Sequence, residues 1–79
     1  MRLDKYLKVS RIIKRRTIAN EACDAGRVLV NDKIAKASLI IKEGDIIQIN
    51  FGTNVIKIKV KMIKDVVKKE EATLLYENL

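Results

Sequence analysis

The chain has no histidine, no proline and no tryptophan, and only one cysteine among its 79 residues. With Cys23 alone and no imidazole, neither a zinc site nor an internal disulfide can be assembled, which suits a reducing compartment. The missing proline, with no repeat, low-complexity tract or Gly/Ser-rich linker, leaves no sign of a domain boundary. Aromatic residues make up 4% and are confined to Tyr6, Phe51 and Tyr76, so stacking on bases can be only a minor mode of recognition. A chain this short buries a modest share of its surface and has little left for a substrate cavity. No nucleophile, base and metal-ligand set accompanies Glu21 or Asp24, so neither an enzyme nor a cofactor is expected. No apolar run approaches the roughly 20 residues of a membrane span, and the first sixteen residues interleave charge with apolar side chains, unlike a signal peptide. The expectation is a cytoplasmic protein with no membrane partner.

What is abundant is positive charge. Seventeen Lys and Arg against ten Asp and Glu give a net charge of +7. Most of that excess sits in the first sixteen residues, where Arg2, Lys5, Lys8, Arg11, Lys14, Arg15 and Arg16 face only Asp4. A merely solvated helix mixes both signs. Arginine presents a planar fork that engages two phosphate oxygens at once, and lysine a mobile point charge, so this mixture fits a shaped polyphosphate surface. Thr17 adds a hydroxyl donor close to a helix start, and Lys36 flanks the same surface. On this reading, replacing Arg2, Arg15 or Arg16 weakens RNA binding while leaving folding nearly unchanged.

Hydrophobic spacing predicts an α+β order. Leu3, Tyr6, Leu7 and Ser10 form the stripe of a first short helix, with Asp4 in its first turn and Tyr6 in the core. A second helix is expected over 14–25, with Ile18, Ala22 and Ala25 on one face and Gly26 ending it in a left-handed conformation. Cys23 reads as a small buried residue. Arg27–Val30 and Lys33–Ala35 read as a hairpin around Asn31-Asp32. A turn at Glu43-Gly44-Asp45 precedes a strand over 46–50. Strict alternation then places Ile56, Ile58, Val60 and Met62 on one side and Lys57, Lys59 and Lys61 on the other, the lysines read chiefly as protection of an edge strand. The stretch 68–79 has Ala72, Leu75, Tyr76 and Leu79 at helical spacing.

Arg2-Leu3-Asp4-Lys5-Tyr6-Leu7, Ser10-Arg11, Lys14-Arg15-Arg16-Thr17, Gly26-Arg27-Val28, Val30-Asn31, Ala35-Lys36-Ala37-Ser38 and Glu43-Gly44-Asp45 together resemble the S-four RNA-binding domain. The resemblance implies two N-terminal helices packed on a small bent antiparallel sheet, with RNA bound by the helices and their connecting turn. It implies an RNA-binding core at 1–50, a completing strand at 51–67 and a C-terminal helical tail at 68–79. The residues that the charge pattern marks as RNA-binding are Arg2, Lys5, Lys8, Arg11, Lys14, Arg15, Arg16, Thr17 and Lys36. Among stand-alone versions the chain is most similar to the bacterial RqcP-type group, relatives of the small heat-shock ribosome-binding protein. That similarity implies a monomer on a large ribosomal subunit, touching large-subunit rRNA and peptidyl-tRNA beside a larger alanine-tailing factor. Two alternatives stand open: a heat-shock factor that rescues or recycles dissociated large subunits, and an adaptor that docks on a protein through its C-terminal tail.

Overall fold

The computed structural model describes all residues from Met1 to Leu79. Helix α1 (Leu3–Val9) and helix α2 (Arg16–Asp24) come first, followed by strands β1 (Val28–Val30), β2 (Lys33–Ile34), β3 (Ile46–Phe51) and β4 (Asn54–Val60). A 3₁₀ helix (Lys69–Leu75) leads into β5 (Tyr76–Asn78). The strands form one antiparallel sheet in the order β2-β1-β3-β4-β5.

Period-2 burial decides which face of that sheet meets the helices. Val28 and Val30, Ile47 and Ile49, and Ile58 and Val60 are buried, while the residues between them are half-buried or exposed. Leu3, Tyr6 and Leu7 of α1 and Ala19, Ala22 and Cys23 of α2 complete the same core. The two helices pack through the small residues of α2. Its buried stripe therefore runs along Ala19, Ala22 and Cys23, whereas Ile18 is 44% exposed and Ala25 lies outside. Of the expected stripe Ala22 is buried, while Ala19 and Cys23 line the core where Ile18 and Ala25 were expected, and close approach to α1 excludes a side chain as large as Ile18.

The turns obey local chemistry. Asn31 and Asp32 take φ of 52° and 68° between paired Val30 and Lys33, the two left-handed positions that a tight two-residue hairpin requires. Gly26 follows α2 at φ 74°, where a side chain would be strained.

The C-terminal stretch departs from a plain helix. Only Lys69–Leu75 is helical, in the 3₁₀ form, and Tyr76–Asn78 joins the sheet with Val60 opposite Tyr76 and Lys59 opposite Glu77. The reason is the Leu75 carbonyl, which accepts the backbone N–H of Lys61 (2.9 Å), that of Met62 (3.1 Å) and the Tyr6 hydroxyl (2.7 Å). Helical spacing in 68–79 is overruled by this buried acceptor and by the free edge of β4. As a result β4 is an interior strand. Lys57 and Lys59 stand on the sheet's solvent face and guard no edge, and Met62 lies beyond the strand, 38% exposed.

Tyr6 is fully buried, and its phenol is shifted upward from the ordinary tyrosine value, first by loss of solvent and then by Tyr76 nearby. The folded state thus holds this proton more tightly than the unfolded chain. Stability is complete below about pH 10, the unfolded tyrosine value, and falls as pH rises above it. Tyr6→Phe should cost about 1 kcal/mol at neutral pH by losing the bond to Leu75 and should flatten this alkaline decline. Urea unfolding of both proteins across pH 7 to 11 (approximate limits) measures both effects.

Candidate RNA-binding surface

Asp4 is 2% exposed, yet its carboxylate is among the most heavily partnered groups in the molecule. Its Oδ1 accepts the Lys5 backbone N–H at 2.8 Å, which satisfies one free amide of the first turn of α1. Arg2 grips both oxygens, Nε to Oδ1 at 3.2 Å and Nη2 to Oδ2 at 3.3 Å. Arg16, from the start of α2, grips both as well, with Nε 3.2 Å from Oδ2 and Nη2 3.4 Å from Oδ1, and the Asn20 amide adds a bond at 3.4 Å. Burial by itself raises the Asp4 pKa; the Arg16 hydrogen bond, the Lys5 amide and the charges of Arg16 and Arg2 outweigh it, and the net shift is downward.

Both guanidinium side chains remain 46% exposed. Each spends its Nε and Nη2 on Asp4 and keeps nearly half of its side chain open to water. Two forks are therefore held side by side with one net positive charge between them, without the entropy loss that two mobile arginines would suffer on binding phosphate. Arg2 also lines a cleft of about 480 Å³ with Lys36, which brings a residue from the far side of the hairpin to the same face. Arg2 and Arg16 are thus structural as well as surface cations. The expectation that either could be replaced without affecting folding is wrong, because removal strips partners from a buried carboxylate.

Lys8, Arg11 and Lys14 lie elsewhere, around a groove of about 590 Å³ whose opposite wall is Asp65, Val66, Val67 and Lys69. Lys5 leans toward the same wall, its Nζ 3.0 Å from Asp65. Arg11 occupies a left-handed conformation, φ 62°, just past the end of α1, and donates its backbone N–H to the Lys8 carbonyl at 3.0 Å. Glycine normally takes that place. Arg15 is the extended residue preceding α2, and both it and Thr17 are exposed. The helix thus begins at Arg16, and Lys14 and Arg15 belong to the link.

Seven of the nine expected residues thus fall into two basic groups, Arg2, Arg16 and Lys36 in one and Lys5, Lys8, Arg11 and Lys14 in the other, while Arg15 and Thr17 are exposed at the start of α2. Sequence reading missed Asp4 as the organiser of the first group and Lys69 as a wall of the second; the only hint of the latter was the Lys68-Lys69 pair on a segment read as a tail. Cys23 is 4% exposed, and burial pushes its thiol up to about 11, with the charges of Asp4 and Asp24 adding to the shift. It is a packing residue rather than a reactive thiol.

The S4 domain family model matches residues 1–47, more than half of the chain. The chain belongs to the S4 domain family. Relatives of this S4 domain include the RQC P-site tRNA stabilizing factor of Halalkalibacterium halodurans, 53% identical over 77 residues that cover 98% of this chain and 88% of that protein. The factor of the same name from Bacillus subtilis is 51% identical over 76 residues, covering 96% and 88%. A trimeric structure of Vibrio cholerae Heat Shock Protein 15 superimposes with a TM-score of 0.92 at 31% identity, covering all of this chain and 81% of that chain. No helix of the chain is long and apolar enough to cross a membrane.

Two outcomes test the geometry. Because the folded-state pKa of Asp4 is depressed, its contribution to stability is present above about pH 4, the unfolded carboxylate value, and is lost as pH falls below it. Asp4→Asn should lower stability at neutral pH by at least about 1 kcal/mol and should flatten the acid decline, as read by thermal unfolding at a series of pH values. Arg11→Gly should behave oppositely on two axes. It relieves left-handed strain and so stabilises the fold by up to about 1 kcal/mol, while removing a cation from the groove and weakening RNA binding.

Proposed function

We propose that this chain is a non-catalytic RNA-binding factor of ribosome-associated quality control, which steadies P-site tRNA on an obstructed large ribosomal subunit in the cytoplasm. The observation that carries the reading is the pair of separate basic surfaces on one small rigid module: the Arg2–Asp4–Arg16 clamp with Lys36, and the Lys8, Arg11, Lys14 and Lys69 groove. Two such surfaces let one domain hold two RNA segments, rRNA on one side and tRNA on the other. The names borne by relatives of about half identity support the choice of tRNA. Holding two RNAs in register lowers the entropy cost of the reaction that follows, and it asks for no acid, base or nucleophile from the protein.

In this proposal Arg2, Lys5, Lys8, Arg11, Lys14, Arg15, Arg16, Thr17 and Lys36 are the RNA-binding residues, joined by Lys69. The protein acts as a monomer beside a larger alanine-tailing factor and supports template-free extension of the stalled chain, with peptide-bond formation left to the ribosome. Residues 1–50 form the RNA-binding core, 51–67 supply β4, and 68–79 add the 3₁₀ helix and the edge strand β5. The heat-shock reading, in which dissociated large subunits are rescued, is supported by the fold shared with Heat Shock Protein 15 but by lower identity.

Arg15 gives the cleanest test, because it is exposed and takes part in none of the ion pairs. Arg15→Glu should leave thermal unfolding unchanged, weaken binding to peptidyl-tRNA-bearing large subunits, and reduce the salt dependence by about one counterion. Lys69→Glu should do the same, whereas Lys59→Glu on the sheet's outer face should have a much smaller effect. Co-sedimentation at several salt concentrations reads all three. Equal losses at Lys59 and Arg15 would mean diffuse charge attraction and would overturn the proposal.

A further inference from the structure

Adjoining the cleft of Arg2, with Lys36 on their common border, the hairpin and the loop after it enclose a third concavity of about 760 Å³. Its apolar floor comes from Ile34, Leu39 and Ile40, which are 70%, 40% and 58% exposed. This exposure is not slack in the chain. The loop is pinned to the segment that enters the first helix: the Leu3 N–H bonds to the Leu39 carbonyl at 2.8 Å, the Ile41 N–H to the Met1 carbonyl at 2.9 Å, and Arg2 bridges Ile40. Ile41 enters the core at 1% exposure, so the neighbouring Ile40 is turned outward by the pleat. Ile34 sits on β2, a terminal strand of the sheet, where nothing packs beyond it. The apolar side chains are therefore held in a preformed site that the protein's own fold cannot cover.

Charge around this floor indicates what covers it. Lys33, Lys36 and Lys42 line the concavity and take part in none of the ion pairs of the chain, which are Arg2–Asp4, Lys5–Asp65 and Arg16–Asp4. The one acid in the lining, Asp45, is committed internally, accepting the Asn31 side-chain amide at 3.1 Å and the Lys42 backbone N–H at 2.8 Å. Three lysines against that one carboxylate leave the rim net positive, and an exposed aliphatic floor inside it is complementary to a ligand that is apolar in its centre and anionic at its margins. Nucleic acid meets only half of that description, since seating a ribose-phosphate backbone on isoleucine would dehydrate phosphates with no donor in return. The rim is also all lysine, without the bidentate arginines of the RNA clamp.

We propose that this groove is a docking site for a protein segment carrying carboxylates beside aliphatic or aromatic side chains. The site does not depend on the RNA reading, although Lys36 lines both this groove and the cleft of Arg2, so the segment would lie against the RNA-facing side of the module. The chain then joins an acidic protein partner to RNA through adjoining but chemically distinct surfaces.

The test places a photocrosslinking amino acid at position 40 of the full chain in living cells and maps the crosslinked fragment. A synthetic copy of that fragment is then titrated against the purified chain. The expected result is a protein fragment with acidic residues flanking apolar ones, whose affinity falls at least tenfold in I34E/I40E and separately in K33E/K42E. All four positions are exposed, so the melting temperature should not move, and Ile40→Ser serves if I34E/I40E folds poorly. Crosslinks to RNA, to a second copy of this chain, to a protein fragment lacking acidic residues, or to nothing would each overturn the proposal. So would a fragment whose affinity is unchanged in both double variants.

Discussion

One carboxylate, that of Asp4, is taken out of water and must be compensated, and much of the molecule is arranged around that requirement. A buried charge is tolerated only when paired and hydrogen-bonded, and here the partners are drawn from the N-terminus, from the first turn of α1 and from α2. The same residue is fixed through its backbone, with its N–H bonded to the Ala37 carbonyl at 3.1 Å. Asp4 therefore joins three segments distant in sequence, and in doing so sets the spacing between Arg2 and Arg16. One interaction thus holds the fold and fixes two surface arginines.

A second buried acceptor organises the other end of the chain. The Leu75 carbonyl collects two backbone donors and the Tyr6 hydroxyl, and Leu75 itself is 1% exposed. This ties the C-terminal segment to α1 and to the end of β4, and it stations Asp65 through Lys69 opposite Lys8, Arg11 and Lys14. In a domain with so small a core, such polar anchors contribute specificity that hydrophobic burial alone does not supply. They also explain how a chain of this size can present several concave surfaces while keeping a single core.

The surfaces differ in chemistry although all are basic. Fixed arginine forks around Asp4 suit phosphate geometry. A groove with a strained arginine at the end of α1 suits a curved backbone, and the lysine-rimmed aliphatic floor suits protein. Net charge alone distinguishes none of these. What separates them is whether each cation is held, strained or free, and whether apolar surface lies beneath it.

The elements legible in the sequence are those set by contacts within a few residues. The stripe of Leu3, Tyr6 and Leu7, the left-handed Gly26, the Asn31-Asp32 turn and the alternation of Ile56, Ile58 and Val60 depend on local backbone geometry, and the residue types state it directly. The concentration of cations before residue 17 was equally visible. Tertiary structure alone decided that Tyr76–Asn78 is a strand, because helical spacing there competes with an edge and a carbonyl presented by residues far away in the chain. It alone decided that Ala19 and not Ile18 faces inward, that Arg2 and Arg16 meet on one carboxylate, and that Lys69 faces Lys8. Each of these depends on which distant groups are left in need of a partner once the core has closed, and spacing along the chain carries no record of that.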